Sequence, residues 1–191
     1  VITEVQPVPT GGWFKRAGVK ETAVLMAAAW LVPFAIHLLP WSGDRPLGAH
    51  LLPMFWASFV AVYLYGARIG LLVGLFSPIV NLVVTGMPAL RWLSVLGFEL
   101  VIFVLFAWWT VRRTPKIWLI APMAYVVAKV CSTFVHLLLA PFGSLGEPGS
   151  FFIGSLRTGL LGLAALAAVN YALILLYPKP DGRGSHDAPR V

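Results

Sequence analysis

Charge is scarce in this chain. Of its 191 residues, 11% are Asp, Glu, Lys or Arg, while 59% are hydrophobic. A soluble domain carries about 25% charged residues, so the polar surface here is too small to coat a water-soluble globule. A mean hydropathy of +0.86 points the same way. Acidic residues are scarcest, 7 against 14 Lys and Arg. The resulting charge of +7 is not gathered on a soluble module, so it argues for no nucleic-acid partner. The single cysteine, Cys131, excludes an internal disulfide. There is no Gly-x-x-x-x-Gly-Lys-Ser/Thr loop and no HExxH pair, which excludes ATP binding and metalloprotease chemistry of those kinds. Nor is there a Gly-x-Ser-x-Gly nucleophile elbow. His37 and His50 lack metal-ligand spacing. The expectation is therefore a protein with no catalytic residues, no cofactor and no metal. No cleavable signal peptide is visible, because the first apolar run is too long and no small-residue cleavage site follows it.

What the chain does have is long apolar runs. Six spans are expected, at about 21–40, 47–66, 68–86, 91–111, 117–140 and 151–177. Turn-forming residues separate them, among them Gly66, Gly86-Met87-Pro88 and Thr114-Pro115. The fold class is thus an all-α integral membrane protein, a compact bundle of six transmembrane helices. Residues 1–19 form a cytoplasmic segment, 20–178 the membrane domain, and 179–191 a charged tail expected to be disordered. With the N-terminus inside, ten Lys and Arg fall on the cytoplasmic side and only Arg45 and Arg91 outside. That bias sets an N-in/C-in orientation.

Three ionisable side chains lie inside apolar runs: Glu99, Lys129 and Arg157. A charge in hydrocarbon is costly and marks a polar site between helices. At 1.5 Å per residue, Glu99 lies about 12 Å below the outer end of span four, and Arg157 about 10 Å down span six. Lys129 is about 20 Å up a core about 30 Å thick, again roughly 10 Å from the outside. All three fall at one level of the outer half. Lys129, Ser132, Thr133 and His136 follow i, i+3, i+4, i+7 spacing and form one polar stripe. Ser77, Asn81 and Thr85 share a face of span three, and Trp92 lies one heptad above Glu99. A structural reading stands beside the functional one: Glu99 pairs with a cation to hold the bundle, and the hydroxyls and Asn81 act as interhelical glue. One negative against two positive charges leaves a surplus cation, which favours an anionic ligand group. The small-residue faces Gly70–Gly74–Ser77 and Ser155–Gly159–Gly162 are expected to serve packing.

Several stretches carry a family resemblance: Pro33-Phe34-Ala35-Ile36-His37, His50-Leu51-Leu52-Pro53-Met54, Gly70-Leu71-Leu72-Val73-Gly74, Thr85-Gly86-Met87-Pro88, Phe98-Glu99-Leu100 and Thr158-Gly159-Leu160. Their order, over about residues 20–178, resembles the substrate-binding S components of energy-coupling factor (ECF) vitamin transporters. The resemblance implies a protein of a prokaryotic cell membrane that captures a vitamin-like small molecule outside. It would then associate with a transmembrane T subunit and two ATPases. The family's Ala-x-x-x-Ala contact to the T subunit matches Ala23 and Ala27. The implied pocket lies in the outer half, with Asn81, Thr85, Trp92, Glu99, Lys129, Ser132, Thr133, His136 and Arg157 as its candidate residues. Three departures fall near it: Phe55-Trp56 where the family has His after Pro-Met, Lys129 in place of Arg, and Arg157 in a usually apolar place. They concern the ligand rather than the architecture. Two other classes remain open: a small membrane enzyme using Glu99 and His136, and a structural or assembly subunit.

Overall fold

Where apolar runs meet Gly and Pro, the described residues break into eight helices. A computed structural model describes residues 19–37, 39, 42, 47–86, 90–139 and 147–179. Its elements are α1 (Val19–His37), α2 (Leu47–Leu51), α3 (Pro53–Tyr65), α4 (Ala67–Thr85), α5 (Leu90–Arg113), α6 (Ile120–Leu139), α7 (Pro148–Thr158) and α8 (Leu160–Leu176). No strand occurs among the described residues. Four stretches are long and apolar enough to cross a membrane: Leu47–Tyr65, Ala67–Val84, Trp92–Arg113 and Ile120–Leu138. Helices α7 and α8 meet at a 56° bend and make a fifth if counted together. These are the helices of a multi-pass membrane protein. Their outer faces agree: Leu72, Phe76, Ile79 and Val83 follow one side of α4 and are exposed, as a helix facing lipid requires.

Two of the expected spans are interrupted. The run 47–66 breaks between Leu51 and Pro53. Proline is suited to the first position of α3, and it disfavours helical backbone in the residue before it. Leu52 accordingly adopts a left-handed conformation, φ 56°. The run 151–177 bends at Gly159. Close approach of α8 to the α2–α3 junction explains the small residues there. A Cβ on Gly162 would lie 2.5 Å from Leu52 Cγ and 2.9 Å from the His50 carbonyl oxygen. The expected packing role of Gly159 and Gly162 is thus met, and so is that of Gly70 and Gly74. Their missing side chains let α4 close on Val62 and Ser58 of α3 and on Val104 of α5.

The core is aromatic. Phe55 of α3 meets Phe103 of α5 and Tyr125 of α6 edge-on, with centroids 5.1 Å apart in both pairs, the geometry ring quadrupoles favour. Leu100, Val104 and Leu166 fill the space around them. Polar ties close the end of the bundle where α3 and α8 finish. Asn170 Nδ2 donates to the Ile117 carbonyl at 2.9 Å. Tyr63 Oη donates to the Tyr177 carbonyl at 3.0 Å. Lys179 Nζ donates to the Tyr63 carbonyl and stands 4.5 Å from the Tyr63 ring centroid. Burial pushes the Lys179 ammonium below its usual pKa. Lys179, which the sequence places at the start of the tail, thus meets both a terminal helix carbonyl and a ring face. Residues 1–18 and 180–191 lie outside the described residues.

Candidate functional site

At the other end of the bundle, α5 turns one face inward. Trp92, Val95, Leu96 and Glu99, spaced i, i+3, i+4, i+7, line one side of a cavity of about 480 Å³. Lys129 of α6 and Ser150, Phe151, Gly154 and Ser155 of α7 complete the lining. Small-molecule sites occupy about 300–1,000 Å³, so the size suits such a ligand.

The Lys129 ammonium donates to both carboxylate oxygens of Glu99, at 2.8 and 2.7 Å. Glu99 is 1% exposed and Lys129 9%. The ammonium also sits 5.5 Å from the ring centroids of Tyr125 and Phe151. Two charges this deep are tolerable only because they neutralise each other through direct hydrogen bonds. Above them the wall is aromatic. Trp92 and Phe151 stack with planes 3° apart and centroids separated by 6.3 Å, and the His136 ring lies 4.8 Å from Phe151 on its own tilted plane. Gly154 and Ser155 keep the α7 wall thin where it faces this stack.

The polar stripe on α6 divides by role. Thr133 is half-buried, and its hydroxyl donates to the Lys129 carbonyl at 2.8 Å, so it is spent on its own helix. Ser132 and His136 are buried, at 3% and 6% exposure. Ser132 Oγ and His136 Nε2 find no hydrogen-bond partner among the described residues. Buried polar atoms are nearly always paired, and each exception needs a reason.

No family model, no curated protein and no solved structure matches the chain. What the site can do therefore rests on its own residues.

Of the residues the sequence singled out, the fold brings Trp92, Glu99 and Lys129 to the cavity, with His136 behind Phe151. Asn81 and Ser77 are buried on α4, on the face that carries Gly70 and Gly74 toward α3 and α5, and neither lines the cavity. The Thr85 side chain and Met87-Pro88 lie outside the described residues. Arg157 is exposed on α7, one turn from the exposed Ile153 and outside the cavity lining. Among the described residues the lining holds one carboxylate and one ammonium, and they pair. Arg157 follows Ser150 by one heptad on the same side of α7, beyond Ser155, the last α7 residue of the lining. Sequence reasoning missed Phe151 altogether. Its ring touches Trp92, His136 and Lys129, yet a Phe at the start of an apolar run carries no signal. Tyr125, beneath the ion pair, was missed for the same reason.

Proposed function

We propose that this chain is a substrate-binding membrane subunit of the ECF S-component type, which captures a vitamin-like small molecule from outside a prokaryotic cell membrane. One observation carries the reading: a cavity of ligand size, floored by a buried Glu99–Lys129 pair and walled by Trp92 and Phe151. In this reading α1 supplies the first of six crossings, and both termini face the cytoplasm. The distribution of charge supports that orientation. Arg68, Arg112, Arg113, Lys116 and Lys179 lie toward the end of the bundle away from the cavity. There Arg112 and Arg113 cover the Trp108 and Trp109 rings at 5.0 and 4.2 Å, as basic and aromatic residues do at a cytoplasmic interface.

The arrangement suits binding better than turnover. Both oxygens of Glu99 are engaged by Lys129, which ties up the carboxylate an acid/base mechanism would use. Uptake would then draw its energy from a T subunit and two ATPases. Ala23 is exposed and Ala27 half-buried on α1, which leaves that strip open to a partner helix. Ala23→Trp or Ala27→Trp is expected to abolish co-purification with the T subunit and ATPases from the native membrane, while ligand retention is unchanged. Co-purification that survives both changes would remove α1 as the contact.

A further inference from the structure

The α6 stripe reaches the cavity at Lys129, while His136, farther along it, packs against Phe151. Phe151 stands between Trp92, on which it stacks, and His136, whose ring is 4.8 Å away. Ser132 Oγ and His136 Nε2 lie one helical turn apart on the buried face of α6 that also carries Lys129, and neither has a partner among the described residues. A buried polar atom without a partner costs about 1–3 kcal/mol. Two of them side by side, next to a cavity, have the character of groups kept for something that arrives.

We propose that Ser132 and His136 form a second subsite behind Phe151, which binds a neutral group carrying both a hydrogen-bond donor and an acceptor, such as the amide edge of a flat ring. This rests on the reading of the cavity as a ligand site and narrows its ligand. A hydroxyl both donates and accepts, and an imidazole nitrogen does one or the other according to its tautomer. Between them the two atoms therefore offer at least one donor and one acceptor, whichever tautomer His136 adopts. The group they take is neutral because the two lining charges among the described residues compensate each other. The Lys129 ammonium is held by both Glu99 oxygens, and Arg157 is outside the lining. An anion entering here would have to break that pair or stay without a counter-charge, and both are costly. The ring follows from the wall. The indole of Trp92 presents a flat face to which Phe151 now stacks, and a ligand ring that displaces Phe151 takes the same face and brings its substituent to His136.

Three probes of one size separate the possibilities: benzamide, acetophenone, which lacks the donor, and benzoate, which is charged. Their affinities for the detergent-purified full chain are read by saturation-transfer NMR titration. Benzamide is expected to bind at least tenfold more tightly than either of the others. Ser132→Ala and His136→Phe should each weaken benzamide at least tenfold and change acetophenone much less. Neither should lower the thermal midpoint of the unliganded protein, since each removes an unpaired polar atom. Benzoate binding as tightly as benzamide, with loss in Lys129→Met, would overturn the neutral subsite and leave the cavity as a ligand site. Equal benzamide affinity in wild type and both variants would also overturn it. If no probe binds in a manner sensitive to Trp92→Ala, the subsite and the reading of the cavity fall together.

Discussion

Lys129→Met is expected to destabilise the protein by about 3–5 kcal/mol, because it leaves the Glu99 carboxylate buried without its counter-charge. Glu99→Gln should cost a similar amount from the other side, leaving an unpaired ammonium. The geometry sets this magnitude: one ammonium meets two carboxylate oxygens at 2.8 and 2.7 Å, and almost no solvent reaches either residue. The double variant Glu99→Gln/Lys129→Met decides between a structural and a functional pair. Removing both charges removes the desolvation cost together with the attraction, so most of the lost stability should return. Equilibrium unfolding in mixed micelles measures all three. A pair that only holds the bundle has done its work once the double variant is stable. A pair that shapes a binding site leaves the double variant stable and unable to hold ligand, which is the expected result. Losses in the single variants that the double variant does not recover would contradict this account of the pair.

Tyr125→Ala is expected to cost about 3–5 kcal/mol, the range for deleting a buried aromatic side chain, and to disturb the cavity from below. Tyr125 is 1% exposed. Its ring packs edge-on against Phe55 at 5.1 Å and lies 5.5 Å from the Lys129 ammonium. Its hydroxyl oxygen is 2.9 Å from where a Cβ on Gly159 would stand, at the bend between α7 and α8. One side chain thus connects the aromatic core, the ion pair and the hinge of the wall that bears Phe151. Tyr125→Phe keeps the ring and should stay within about 1.5 kcal/mol of wild type. Unfolding measurements on both variants separate the ring from the hydroxyl. A Tyr125→Ala protein as stable as wild type would show that the core does not support the site.

Much of this organisation was legible in the residues. Gly66 and Thr114-Pro115 end helices where turn chemistry says they should. Glu99 and Lys129, placed at one depth by counting 1.5 Å per residue, do meet. Trp92 shares the face of Glu99, as one heptad of spacing requires. The breaks at Leu52 and Gly159 were passed over because apolar residues resume beyond them, although Pro53 and Arg157-Thr158-Gly159 interrupt both runs. Arg157 illustrates a different limit. Depth follows from counting, but counting along one helix does not say which neighbours a side chain meets. Lys179 was assigned to the tail by composition alone, which carries no information about the Tyr63 carbonyl and ring waiting for it.

The central claim is that the cavity above Glu99 and Lys129 holds a small molecule. Native mass spectrometry of the full chain purified from its own membranes tests it most directly. The account predicts a retained adduct of small-molecule mass on the wild-type chain, absent from the folded Glu99→Gln/Lys129→Met protein. A wild-type chain that carries no adduct, or one that the double variant retains equally, would contradict it.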